Sequence, residues 1–426
     1  MHALLLALAF NTFFTDKTMR VDYFHTGGKG QEIVALERVV SDGPWPGSRT
    51  QLVDTTNLGK YLFEVIDRST NQVIYSRGFA SVFGEWETTG EARERYRTLH
   101  ESLRFPWPKV PVQVVLKKRD DNNAFQQIWS TVIDPDSRFV NPADVGPAGR
   151  VITLFENGPP SQKVDLLLIA EGYAANEQAK FEGDAKRLVG KLFSTEPFQS
   201  RRRDFNVRAL FIPSAKSGVH RPRTRDDRRT AVSTEYNIFD SERYVLTLDN
   251  RALRDAASAA PYDFIEILVN EKQYGGGGIF NDQATTSVDS AFSEYVFVHE
   301  FGHHFAALAD EYYTSDVAYE TGAPQLQEPW EPNVTALDWV QYLARMHGFT
   351  AAEQVQPVLE PGRVLDRAPR GMRVGRWCSP QPASVVEARR DHGQARALPC
   401  GRHGEPRARH GRRGGPDPGL RSRRRP

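Results

Sequence analysis

The chain has 426 residues, of which 26% are charged, and a formal net charge of +1 at pH 7. This length allows two or three domains with their own cores, and the balanced charge argues against a nucleic-acid-binding protein or an anionic membrane surface as partner. Both cysteines, Cys378 and Cys400, lie near the C-terminus, which excludes a disulfide framework or a cysteine-based zinc site before them.

Residues 1–12 are predicted to be a signal-peptide remnant. They contain a short apolar run that ends in Ala7-x-Ala9, a pattern typical of a cleavage site, although no basic segment precedes it. This predicts a secreted or periplasmic protein; the alternatives are a short buried N-terminal strand or a wrongly placed start. No other stretch approaches the roughly 18 apolar residues of a transmembrane helix, so no membrane span is predicted.

Residues 13–140 are predicted to form an antiparallel β-sandwich. Short alternating segments recur at regular intervals, and two hairpins are expected with turns at residues 69–71 and 120–123. This region contains no convincing group of metal-ligating side chains, so it is expected to have a structural or substrate-positioning role. His25 is expected to be a surface or core histidine and not a ligand.

Residues 141–162 are rich in proline and glycine and are predicted to be a linker. Residues 163–340 then form the predicted catalytic domain. Its apolar runs predict buried strands at 163–170, 205–212 and 264–269, with helices at 176–193 and 250–259. The alternation of strands and helices predicts a mainly parallel sheet flanked by helices, an α/β arrangement that follows the N-terminal β-domain.

A run of four glycines, Gly275 to Gly278, follows the third strand. It lacks the spacing of a phosphate-binding loop. The glycines are expected to allow a close approach of the backbone, either in a tight turn or in an extended edge to which a peptide adds as a strand.

A His-Glu-x-x-His motif at His299, Glu300 and His303 lies in an apolar helical pattern. On a helix the two histidines are one turn apart on one face, where their ring nitrogens can bind one Zn²⁺ ion. Glu300 lies beside them and can act as the general base for a metal-activated water. The alternative is a pair of satisfied core histidines.

A catalytic zinc ion needs a third protein ligand. Ala306 and Ala309 stand where a metzincin would have its glycine and its third ligand. In a straight helix Asp310 would lie about 10 Å along the axis from His303. The helix must therefore bend or end between Ala306 and Ala309, or the ligand must come from elsewhere.

The segments that flank the motif carry a family resemblance. The sequence from His299 to Tyr313, together with residues 168–173, 241–246 and 274–279, resembles the M64 metallopeptidase family, whose namesake member cleaves immunoglobulin A. The resemblance runs from about residue 13 to about residue 335. It implies a zincin-like zinc endopeptidase with His299 and His303 as ligands and Glu300 as base.

For the third ligand the resemblance favours Asp310, with Glu311 as the alternative. Tyr312 or Tyr313 is a candidate to stabilise the oxyanion, although packing accounts equally well for both tyrosines. Immunoglobulin cleavage is not implied, because the specificity of one pocket is not a property of a fold.

Residues 341–426 depart from the family. From Arg389 onward the chain consists largely of Arg, Gly, Pro, Ala and His and contains no lysine. This tail is predicted to be out of frame or a disordered basic segment.

The sequence as a whole predicts a zinc-dependent endopeptidase that uses one Zn²⁺ ion and a protein or peptide substrate. The alternative is a non-catalytic protein- or carbohydrate-binding protein with a vestigial or structural zinc site.

Overall fold

The computed structural model describes residues 10–308, apart from 121, 145–148 and 225. Several predicted features lie outside these residues, namely residues 1–9, Asp310, Glu311, Tyr312, Tyr313 and the tail 341–426. Phe10 is fully buried in the N-terminal core. Phe10, which falls within the predicted signal-peptide remnant of residues 1–12, is therefore part of the described fold, and the remnant itself stays a prediction.

The N-terminal part consists of two four-stranded sheets that share one apolar core. Its strands are β1 (Phe14–Gly28), β2 (Gln31–Pro44), β3 (Tyr61–Asp67), β4 (Val73–Phe79), β5 (Arg97–Pro108), β6 (Val112–Arg119), β7 (Phe125–Ile133) and β8 (Val140–Asp144), and helix α1 (Val82–Trp86) follows β4. The strand orders are β5-β1-β2-β8 and β4-β3-β6-β7. The described pairings are antiparallel except that of β2 with β8, which is parallel.

Alternating burial explains the two layers. In β3, Tyr61, Phe63 and Val65 are buried while the residues between them are partly exposed, as expected for strands with one face on a core. The two predicted hairpins, β3–β4 and β6–β7, are confirmed. Asn71 and Asn123 lie in their turns with positive φ angles of 57° and 61°, a conformation that asparagine tolerates well.

The predicted linker, residues 141–162, instead contains strand residues. They belong to one N-terminal sheet and to the sheet of the second part. Strand β8 extends to Asp144 and pairs with β2, and strand β9 (Arg150–Phe155) pairs antiparallel with a strand of the next sheet. The sequence pattern did not indicate these two strands. Each lies at a sheet edge, where proline is tolerated and apolar alternation is weak.

The second part is built on a six-stranded mixed sheet that includes β9. Its other strands are β10 (Val164–Glu171), β11 (Phe205–Phe211), β14 (Phe264–Val269), β15 (Gly276–Ile279) and β16 (Gln283–Ser287), and a separate pair is formed by β12 (Thr234–Tyr236) and β13 (Val245–Thr247). The strand order in the six-stranded sheet is β15-β16-β14-β10-β11-β9. The four central strands are parallel, and the two edge strands are antiparallel to their neighbours.

Helices cover both faces of this sheet. They are α2 (Gln178–Leu192), α3 (Asn250–Ala257) and α4 (Ser293–Ala306). Strands β10 and β14 are buried along their whole length, which explains their continuous apolar runs. Helices α2 and α4 share one core with Phe264 and Leu268, whereas α3 shares the opposite core with Ile265 and Ile267. None of the helices in the described ranges has the length and apolar surface that a membrane crossing requires.

A buried ion cluster joins the two parts. Arg20 of β1, which is fully buried, contacts Asp42 at 2.9 Å and also binds Asp255 of α3. Arg38 binds the same Asp255 at 2.9 Å, and Arg104 binds Asp42 at 2.7 Å. The burial of Arg20 without these carboxylates would be costly, so the cluster fixes α3 on the N-terminal sheet.

His25 lies in the N-terminal core and not at a ligand site. Its Nδ1 lies 3.0 Å from Glu101 and its Nε2 lies 2.8 Å from Glu32, and its ring stacks on Phe83. Burial opposes the charged imidazolium, but the charges and hydrogen bonds of Glu101 and Glu32 outweigh it and raise the pKa of His25 to about 9. The histidine is therefore a buried cation held by two carboxylates.

We predict that His25 makes the fold less stable at high pH. A folded-state pKa above the unfolded value gives stability that is complete below about pH 6.5 and is lost as the pH rises through about 9. Denaturant unfolding should give a free energy roughly 3 kcal/mol lower at the alkaline end of this window. His25→Gln should abolish most of this slope, whereas His220→Gln, at a partly exposed histidine, should retain it. An unchanged slope in His25→Gln would contradict the assignment.

Candidate metal centre

Helix α4 carries the His-Glu-x-x-His motif and is held on the sheet by aromatic packing. The ring of Phe264 in β14 lies 4.7 Å from that of Phe305 and 6.2 Å from that of Phe301, measured between centroids. The helix ends at Ala306, and Ala307 adopts a left-handed conformation with φ 53°. This end lies between Ala306 and Ala309, where the helix was expected to bend or end if Asp310 is the third ligand.

The imidazoles of His299 and His303 converge at one point. Their Nε2 atoms are 3.1 Å apart, and the two rings are perpendicular. The Nδ1 of His303 is hydrogen-bonded to the carbonyl oxygen of Leu308, just beyond the helix end. A neutral imidazole that donates from Nδ1 carries its lone pair on Nε2, so His303 presents a lone pair toward His299.

Glu300 completes a compact donor group. One ligand atom each from His299, Glu300 and His303 lies within 4.8 Å of the others. His299 is buried and the other two residues are partly accessible. Within the described part of the chain no fourth donor joins this group, and the sequence candidates Asp310 and Glu311 lie beyond it.

The donor group fits Zn²⁺. Two nitrogen ligands at about 2.0–2.1 Å from a tetrahedral ion lie about 3.4 Å apart, close to the observed 3.1 Å. The hydrogen bond from His303 to a backbone carbonyl is the outer contact that orients a ligating histidine. The residues present could therefore hold a zinc ion.

His304, the next residue, has a different role. Its Nδ1 donates to the carbonyl oxygen of Ile279 at 2.8 Å, and its Nε2 accepts from the backbone N–H of Ile265 at 3.2 Å. Burial lowers the pKa of His304 to about 3. It is a neutral core histidine that ties α4 to β14 and β15, and both nitrogens are already used.

The glycine run forms strand β15, which lies against helix α4. A Cβ atom on Gly278 would lie 2.4 Å from the backbone oxygen of Glu300 and 3.0 Å from Cβ of His303. A Cβ atom on Gly276 would lie 2.9 Å from Oε1 of Glu300. The expectation of a close backbone approach is thus met by the helix itself. The outer edge of β15 is bridged at Gly276 by Tyr244, in the family-like segment 241–246.

Another family-like segment, residues 168–173, has a structural role. Glu171 at the end of β10 is fully buried and accepts hydrogen bonds from the backbone of Val232 and Thr234 and from the hydroxyl of Thr230. Burial raises the pKa of Glu171 despite these bonds. Its carboxyl group anchors the segment that leads into β12.

A second group of donors, Asp22, Glu37 and His100, lies at the junction with α3. Asp22 already binds Arg38 at 2.7 Å and contacts Arg20 at 3.0 Å, and Glu37 binds His100 at 2.6 Å. Because arginine charges neutralise the carboxylate of Asp22, this group is part of the ion cluster and not a metal site.

The sequence did not indicate two groups that contribute to this site. One is the Leu308 carbonyl, which no side-chain pattern can indicate. The other is Glu266, which is fully buried in the middle of β14. A single carboxylate in the apolar run of residues 264–269 was the available signal, because such a group is rarely buried without a purpose.

Two family models match the chain. The model described as IgA Peptidase M64 matches residues 152–358, and the model described as Peptidase M64 N-terminus matches residues 9–130. The matches cover most of the chain. The peptidase match extends to residue 358, beyond residue 340, so the prediction that the chain departs from the family from residue 341 onward is wrong for residues 341–358. No curated protein is similar enough to match the chain.

We predict that Gly278→Ala destabilises the protein by displacing α4. The added methyl group would meet backbone, which cannot rotate away, and such overpacking costs about 1–3 kcal/mol. Thermal unfolding should show a lower Tm. Gly183→Ala is the matched control, because its Cβ meets nothing within 4 Å in the exposed face of α2 and alanine favours helix. Equal Tm values for both variants would refute the close approach.

Proposed function

Because the chain belongs to the M64 peptidase family, we propose that it is a zinc-dependent endopeptidase with His299, His303 and Asp310 as ligands and Glu300 as general base. The observation that carries the proposal is the convergence of the two Nε2 atoms, 3.1 Å apart, beside the Glu300 carboxylate. Two imidazoles and an adjacent carboxylate are the groups that a metal-assisted hydrolysis requires.

Glu300 and His303 have separate roles in the proposed reaction. When bound, Zn²⁺ supplies a Lewis acid that polarises the scissile carbonyl and lowers the pKa of water. Glu300 accepts a proton from the attacking water and then delivers it to the leaving amine. His303 is oriented by its bond to the Leu308 carbonyl, which preserves its lone pair for the ion.

The end of helix α4 supports the proposal of Asp310 as the third ligand. The chain leaves the helical path at Ala307, where φ is 53°. A chain that turns there can bring Asp310 back toward His303, which a straight helix could not do. Glu311 is the alternative.

The proposed substrate is a protein or peptide, as for a peptidase family. The proposed location is secreted or periplasmic, on the apolar run that ends at Ala9.

We predict that Glu300→Gln abolishes proteolysis and leaves zinc binding intact. Loss of the general base should lower kcat/KM on a generic unfolded protein by about 10²–10⁴-fold, while metal analysis still finds one ion per chain. Chelation should inactivate the wild type, and added Zn²⁺ should restore it. The matched control is Glu294→Gln, an exposed carboxylate in the first turn of the same helix, which should keep full activity.

The outcome that would overturn this function is bound zinc without any cleavage that depends on Glu300. That result would favour a binding protein with a structural zinc site.

We predict that Asp310→Ala weakens zinc binding more than Glu311→Ala does. Removal of a direct ligand should raise the Kd for Zn²⁺ by at least about 100-fold, since even outer contacts contribute about 10–100-fold. Competition with a chromophoric chelator measures this. If Glu311→Ala has the larger effect, the assignment of the third ligand is reversed.

A further inference from the structure

A buried polar seam lies beneath Glu300, between helix α4 and the sheet. It consists of Glu266 in β14 and Thr286 in β16, both fully buried. Both side chains are on the face that carries α4, because Leu268, which shares this face with Glu266 and pairs with Thr286, packs in the same core as Phe297 of the helix. The seam is therefore enclosed by the sheet below and the helix above.

The strand register connects the seam to Glu300. Thr286 pairs with Gly276, and a Cβ atom on Gly276 would lie 2.9 Å from Oε1 of Glu300. The Glu300 carboxylate thus lies directly over Gly276, one strand from Thr286. Glu266 is the diagonal neighbour of Thr286 on the next strand, a spacing that long side chains can bridge.

These seam oxygens have no protein partner within the described ranges. Neither carboxyl oxygen of Glu266 nor the hydroxyl of Thr286 makes a hydrogen bond there. Burial of such groups without partners costs roughly 1–3 kcal/mol each, and apolar residues would fit the surrounding core at less cost. A group retained at such a cost at this position is expected to serve the site above it.

Burial raises the pKa of Glu266 well above the usual range, and the nearby Glu300 charge raises it further. Both effects favour the neutral carboxylic acid form of Glu266, which can donate one hydrogen bond as well as accept. A buried water bonded to two or three such groups is the usual way in which protein interiors satisfy them.

We propose that Glu266 is a positioning residue for Glu300, acting with Thr286 through a shared buried water that holds the Glu300 carboxylate in its orientation. This inference rests on the proposed peptidase function. Glu266 does not touch the substrate in this role. It fixes the rotamer of the residue that does the proton transfer, and such outer contacts strongly affect the rate in preorganised sites.

Paired substitutions test the proposal in the full-length zinc-loaded protein. Glu266→Gln and Thr286→Ser keep the hydrogen-bonding groups and should leave kcat within about threefold of wild type. Glu266→Leu and Thr286→Val remove them with little change in volume, and should lower kcat by about 10–100-fold with KM within about twofold. A rate effect confined to kcat and restored by the conservative variants distinguishes positioning from general damage to the fold.

The Tm of Glu266→Leu is expected to change in the opposite direction to its kcat. Glu266→Leu replaces a buried carboxyl group with an apolar side chain, so its Tm should equal or exceed that of the wild type. A more stable yet slower enzyme is the expected result. Wild-type kcat in Glu266→Leu, or an equal loss in Glu266→Gln, would overturn the proposal.

A second readout does not need activity. In zinc-free protein, the Tm shifts of Glu266→Leu and Glu300→Gln should fail to add in the double variant, because both act on one hydrogen-bonded group. Additive shifts would overturn the link between the two carboxyl groups. If the wild type shows no zinc-dependent cleavage, the proposed function fails, and this cycle still tests the seam.

Discussion

The fit of strand β15 against helix α4 is the constraint on which the site depends. At Gly278 there is no room for even a methyl group between the strand and the backbone of Glu300. This contact fixes the height of the helix above the sheet, and the neutral His304 fixes its rotation through bonds to Ile265 and Ile279. With both fixed, the Nε2 atoms of His299 and His303 converge at one point. The geometry of the donor group is therefore set by backbone contacts below it.

The sheet surface under α4 is not uniformly apolar. Phe264 and Leu268 pack against helix aromatics at either end, while Glu266 occupies the middle. The apolar residues at the two ends of β14 stabilise the position of helix α4 by hydrophobic packing. Glu266, in the middle of the strand, lies beneath the part of the helix that carries Glu300 and contributes less hydrophobic packing. This division shows how one strand can serve both packing and chemistry with alternate residues.

Much of this architecture could be predicted from the sequence. Buried parallel strands such as β10 and β14 are recognised by their continuous apolar runs. The motif at His299, Glu300 and His303 is recognised because its residues lie within one turn of a helix. Edge strand β9 was not predicted, and an extended edge at β15 was only one of two alternatives, because the composition of both strands is weak in apolar alternation and their pairing depends on distant partners. The links from Thr286 to Gly276 and from Thr286 toward Glu266 arise only from register across three strands, which no single-sequence pattern encodes.

The ion cluster around Arg20 limits which substitutions each of the two parts can accept on its own. Its charges are divided between β1 and β2 of the N-terminal part and Asp255 of α3 in the second part. A substitution on one side alone leaves an uncompensated charge in the interior, and selection removes it unless the other side changes as well. The residues on the two sides of this junction are therefore expected to change together. Recombination between distant relatives is expected to succeed only when both sides of this junction come from the same parent.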